Sequence, residues 1–147
     1  MSTKGNKELV RQLVTAWNAC GGNAAKIRSW SEKYYSPTLI NHNLLSGDLN
    51  WEQATQMMVQ VSAASPDVRY SIDELVAEGD KVVNRYTMEG THNGSYMGIP
   101  ATGKRFVVKG VEINRIADRE IVEVGVFPDI IGMMTQLGVV HGATPKT

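Results

Sequence analysis

The apolar residues of this chain change their repeat once, at Ser65-Pro66. Before that point they recur every three to four positions; after it they alternate with polar residues. A period of 3.6 belongs to a helix and a period of 2 to a strand, so the switch divides the chain into a helical first part and a strand-rich second part. Helices and strands segregated in this way fold as α+β, with the helices covering one face of an antiparallel sheet.

In the first part, Leu9, Leu13, Ala16, Trp17 and Cys20 form one stripe, stopped by Gly21-Gly22. Asn23 is placed to cap a second helix carrying Ile27, Trp30 and Tyr34 and ending before Pro37. Leu39 to Asn43 is expected to be extended. Asn50, with Gln53 three residues on, is a capping box that opens a third helix with the stripe Trp51, Ala54, Met57, Met58, Val61. In the second part, Val68, Tyr70 and Ile72 alternate, and Gly79-Asp80 turns the chain into a strand from Lys81 to Thr91. A Gly/Pro-rich connection, Gly94 to Gly103, leads to a long strand, Arg105 to Ile116, and Asp118-Arg119 turns into a last one, Ile121 to Phe127. A short helix follows, with Asp129 at its start, Ile130, Met133 and Leu137 along it and Gly138 at its end. The expectation is a curved antiparallel sheet with helices on its concave face.

Composition narrows the partners. Fifteen basic and fifteen acidic side chains in 147 residues give no cationic excess, which argues against nucleic acid or an anionic membrane. The length suits one domain spanning 1–147, with a loose tail from 141 to 147. A single cysteine, Cys20, excludes a disulfide framework and a cysteine-rich zinc site. No apolar leader and no run of about eighteen apolar residues is visible, so a cytoplasmic protein is expected. No H-x-H or H-E-x-x-H spacing and no glycine-rich phosphate loop occurs, so no metal and no cofactor is expected.

Two runs in the second part are distinctive. T-H-N-G-S-Y-M-G-I-P-A-T-G-K, Thr91 to Lys104, and F-P-D-I-I-G-M-M-T-Q-L-G, Phe127 to Gly138, resemble in order and spacing two segments of the SnoaL-like polyketide (ester) cyclases of the nuclear transport factor 2-like superfamily. The resemblance implies a cone-shaped α+β barrel with a small-molecule pocket and no cofactor. The antibiotic cyclases of that family look to use a D-W-P-D run whose first Asp is the acid/base of an aldol closure. Here the run is V-F-P-D, with Val126 at that position. Their Gln-x-His pair aligns with Gly110 and Glu112.

Glu112 is therefore the side chain of greatest interest. Period two puts it on one strand face with Val108, Gly110 and Asn114, and the resemblance turns that face into the cone. A carboxylate in an apolar pocket has a raised pKa, which suits proton transfer near neutral pH. The competing expectation is an outward Glu112 paired with Arg85 or Arg115, because Val107, Val111 and Ile113 make the opposite face more apolar. His92, the motif histidine, is a candidate donor to a substrate carbonyl or a structural histidine. Asp129 is a candidate acid/base or a helix cap. The resemblance places Asn41 and His42 at the pocket mouth; Trp17, Met97, Val126 and Phe127 are expected on its walls, and Met57 and Met58 in the core.

The expected function is acid/base chemistry next to a carbonyl of a small, mostly apolar compound, giving cyclisation, isomerisation or dehydration. The alternatives are a non-catalytic ligand-binding or dimerisation module of the same fold and, more remotely, epoxide opening, whose Asp-Arg-Asp set is not found around Arg85 or Arg115. A homodimer or larger homo-oligomer is expected through the face of Val107, Val111 and Ile113.

Overall fold

Ser2 and Asn23 begin the first two helices in the same way, each side chain accepting a backbone N–H three residues on at 3.0 Å. α1 runs Thr3–Cys20 and stops where Gly21 turns left-handed at φ 57°; α2 runs Ala24–Tyr34. These and the following elements belong to a computed structural model that describes residues 2–140; the tail 141–147, expected to be loose, lies outside them. From Tyr34 the chain passes directly into β1, Tyr35–Asn43, four residues earlier than its sequence suggests. Pro37 reads as a strand breaker, but here it falls where the register of β1 shifts, between Tyr35 and Ile40, and no regular ladder bond is needed. A short return strand, β2 (Gly47–Leu49), precedes α3, Trp51–Ala64, which starts with the expected capping box of Asn50 and Gln53.

β3 (Arg69–Glu78), β4 (Lys81–Thr91), β5 (Arg105–Ala117) and β6 (Glu120–Pro128) form an antiparallel meander, and α4 (Ile130–Gln136) follows. The sheet order is β2-β1-β6-β5-β4-β3. It is mixed rather than wholly antiparallel, because β1 lies parallel to β6. A parallel pair needs a long crossover, which α3 and the meander supply. Register shifts between Ile72 and Glu74 and between Arg115 and Ile116 bend and twist the strands.

The helices cover one face of this curved sheet. Val10, Leu13 and Trp17 of α1 and Ile27 and Trp30 of α2 pack with Val82, Ile116, Ile121 and Val124 of the strands. Ile27 and Ile121 are wholly buried, each contributing about 1.5–3 kcal/mol by burial. Under α4, Phe106 and Val108 meet Met133 and Leu137 in a second cluster. β3 is an edge strand, and Asn18 of α1 holds it: the amide Nδ2 donates to the Tyr70 carbonyl at 2.8 Å and Oδ1 accepts the Tyr70 N–H at 3.0 Å. Among the described residues no helix is long and apolar enough to cross a membrane.

Candidate active site

Between the helical layer and the sheet lies a chamber of about 180 Å³. Its floor follows from strand register. Asn84 of β4, Glu112 of β5, Val126 of β6 and Asn43 of β1 are successive cross-strand partners, and all four line the chamber. One row over come Tyr86, Gly110 and Pro128. On the other side come Val82, Asn114, Val124 and Asn41. Trp17, Trp30, Met57 and Met58 descend from the helices, and Met133 from α4.

Glu112 is the one carboxylate among the described lining residues. Burial pushes its pKa up from the ordinary glutamate value. Asn84 Nδ2 donates to its Oε1 at 2.9 Å and partly offsets this by favouring the charged form. Asn114 acts in the same sense more weakly, without hydrogen-bond geometry. Glu112 lines the chamber and keeps some accessible surface. Tyr35 and Tyr86 also line the chamber; burial, then the Glu112 charge, pushes their phenols well above the usual tyrosine range. Tyr70 is raised by burial, by Tyr86 and by Glu112. These hydroxyls therefore stay protonated and can act as donors.

His92 is 2% exposed and sits where β4 runs into the 94–103 connection. The Thr102 backbone N–H donates to its Nδ1 at 3.3 Å, and the Thr102 hydroxyl lies 3.0 Å away. An N–H aimed at Nδ1 makes that nitrogen the acceptor, so the neutral ring carries its proton on Nε2. His92 Nε2 is buried without a partner, as are Trp17 Nε1, Asn41 Oδ1 and Asn84 Oδ1, all on lining residues. Each such unpaired buried polar atom costs about 1–3 kcal/mol. Glu112 and His92 do not meet. Eight chain positions separate Asn84, the cross-strand partner of Glu112, from His92, which lies just beyond the end of β4. They serve different ends of the chamber.

The lining includes Glu112, His92, Trp17, Asn41 and Val126 from the sequence candidates. It does not include four others. His42 alternates with Asn41 and Asn43 and so faces outward, with Nδ1 2.8 Å from Asp48 and Nε2 2.7 Å from Glu123. Those two carboxylates, Glu123 first, raise its pKa. Phe127 faces outward for the same reason, beside inward Val126, and is 46% exposed. Met97 sits exposed in the Tyr96–Ile99 turn at φ 53°, and its neighbour Tyr96 takes the inward position. Asp129 caps α4, its Oδ1 accepting the Gly132 N–H at 2.9 Å. Met57 and Met58, expected in the core, both line the chamber, and Met58 also packs against the core. Arg85 and Arg115 leave Glu112 alone, pairing with Asp73 and Glu74 and with Glu123. Asn84, Tyr35, Tyr70 and Tyr86 escaped sequence reasoning. Asn84 had left a trace, a polar residue in the inward apolar phase of Val82, Tyr86 and Met88.

The SnoaL-like polyketide cyclase family model matches residues 7–137. The chain is 29% identical over 133 residues to the aklanonic acid methyl ester cyclase of Streptomyces peucetius, covering 89% of each protein. It is 28% identical over 106 residues to the nogalonic acid methyl ester cyclase of Streptomyces nogalater, covering 71% of this chain and 77% of that one. Among solved structures, AclR of Streptomyces galilaeus, a proposed hydroxylase, superposes with a TM-score of 0.82 at 25% identity, over 95% of this chain and 99% of that one. With its helices on a six-stranded sheet around an apolar chamber, this chain belongs to the SnoaL-like polyketide cyclase family.

Proposed function

We propose that this chain is a cofactor-independent acid/base enzyme acting on a small, mostly apolar, polyketide-like carbonyl compound. Glu112 removes a proton from the carbon next to a carbonyl, and the resulting enolate closes a ring or shifts a double bond. The observation that carries this reading is a lone carboxylate, raised in pKa by burial, on the floor of an apolar chamber. His92 lines the same chamber where β4 ends. The outward apolar residues of β5, Val107 and Ile113, face a second copy of the chain. The test is turnover of aklanonic acid methyl ester, the compound in one relative's name, with products separated by chromatography and identified by NMR. Glu112→Gln keeps the shape and removes the base, so turnover is expected to fall at least about 100-fold. Unchanged turnover would overturn the assignment.

A ligand-binding module without chemistry is the second reading. Val126 favours it, since this apolar residue stands directly across from Glu112, where the resemblance places the cyclases' Asp. Thermal shift with aromatic and terpenoid ketones, followed by NMR of the recovered ligand, separates the two.

A further inference from the structure

Gly110 is the inward-facing residue one pleat before Glu112. The space its missing side chain leaves is occupied. A Cβ at Gly110 would lie 2.5 Å from the Tyr86 Oη and 2.6 Å from its Cζ. The Tyr86 ring therefore leans across from β4 and lays its hydroxyl over the backbone of β5. Pro128 Cα closes the far side at 3.1 Å. Tyr86 and Glu112 line the same chamber, and the charge of one acts on the other. Among the described residues no protein hydrogen bond engages the Tyr86 hydroxyl. The residue is otherwise fixed: it is 3% exposed and packs on the Tyr70 ring at 5.5 Å between centroids. A rigid phenol with a free hydroxyl beside a buried carboxylate is a donor set next to a base.

We infer that Tyr86 is a second catalytic residue, whose hydroxyl, laid over Gly110 beside Glu112, donates to the substrate oxygen on which negative charge develops. The inference rests on Glu112 being the base. In the cyclising reaction the Glu112 carboxylate takes the proton from carbon, and the carbonyl π bond becomes the enolate. The enolate carbon bonds to a second carbonyl carbon of the same molecule. The electron pair of that carbonyl moves to its oxygen, which takes the proton of Tyr86. Protonated Glu112 then returns its proton to the Tyr86 phenolate. The ring gains one carbon–carbon bond and one hydroxyl, both residues end as they began, and no co-reactant is consumed. Burial and the adjacent carboxylate keep the phenol protonated at neutral pH, so it starts each cycle as a donor. The glycine is what makes the arrangement possible, because any side chain at position 110 would occupy the place of the hydroxyl.

The test uses the full chain and 2-acetylnaphthalene carrying a ¹³C carbonyl. Infrared spectroscopy reads how strongly the bound carbonyl is hydrogen-bonded. The wild type and Glu112→Gln are expected to lower its frequency relative to cyclohexane. Tyr86→Phe keeps the ring and should return the frequency toward the apolar value. Gly110→Ala pushes the hydroxyl aside and should do the same with the tyrosine still present. On aklanonic acid methyl ester, Tyr86→Phe is expected to lose at least about 100-fold in kcat with KM within about threefold. The double variant with Glu112→Gln should be little slower than either single one, as for residues that act as a unit. A carbonyl frequency unchanged by Tyr86→Phe, or a probe that does not bind, overturns the role of Tyr86. Full turnover in Glu112→Gln instead overturns the base, while the carbonyl shift still reports on Tyr86 separately.

Discussion

Removing the Asn18 amide tests how the edge of the sheet is held. Its side chain makes two hydrogen bonds to Tyr70, at 2.8 and 3.0 Å, in the place a further strand would occupy. Asn18→Ala deletes both and leaves a partly buried N–H and C=O without protein partners. At about 1 kcal/mol net for each bond, with some added cost for groups that water reaches poorly, the loss is about 2–3 kcal/mol. The unfolding entropy of a chain of this length, at about 2.1 cal/mol/K per residue, converts that loss to a fall of about 7–10 °C in Tm. Asn18→Asp sharpens the test. Its carboxylate can accept the Tyr70 N–H but turns an oxygen toward the Tyr70 carbonyl, so it should be no better than alanine. Thermal and urea denaturation would measure both, with an unchanged m-value showing that the two ends of the transition are the same. A Tm within about 1 °C of wild type for either variant would refute the claim that this amide stands in for a strand.

Glu112→Gln should also raise stability at neutral pH. The folded pKa lies above the unfolded one, so the stability the wild-type group contributes is full below the unfolded value and lost as pH rises through the folded one. Melting curves should therefore show the variant gaining on wild type as pH rises above the ordinary glutamate value and through the folded pKa, and a constant difference would contradict it. His42, raised by Glu123 and Asp48, follows the same sign on an exposed site. The advantage of wild type over His42→Gln should be greatest near pH 5.5, fade as pH rises through the folded pKa of the histidine, and shrink in high salt; an advantage that persists at pH 9 would contradict it. Gly90→Ala would put a methyl against Ser65 Oγ, 3.1 Å from Phe106 Cζ and 3.2 Å from Val68 Cα. Overpacking of that kind costs about 1–3 kcal/mol, a clear drop in Tm, and a variant that melts with wild type would count against the close approach.

Local signals carried most of the fold. Periods, caps and turn glycines placed the helices and the meander strands because each depends on neighbours in sequence. The parallel β1–β6 pair did not announce itself, since its partners are distant in sequence and Pro37 disguised the start of β1. Strand alternation alone would have turned Glu112 outward. Val107 and Ile113 are the more apolar phase of β5, yet they are exposed at 45% and 39% while Glu112 faces the chamber. The inward phase is polar where a ligand, rather than a core, is to be met. Tyr86 is buried like a core residue. What distinguishes it is the gap across the strand at Gly110, a relation between two strands that no single segment contains.

The parallel pairing of β1 with β6 also sets the order in which the molecule can be made. Asn43 joins Val126, closing a loop of about 80 residues, an entropic cost that local hairpins avoid. The β3–β6 meander can zip through short turns, while β1 must wait for a partner near the end of the chain. On a ribosome, the N-terminal helices and β1 emerge well before β6, at about 5–20 residues per second. Throughout that interval Trp17, Trp30 and Tyr35 have no sheet to lie on. The chamber is thus a product of the last step of folding, and the nascent helical half is the stretch most in need of shelter from aggregation.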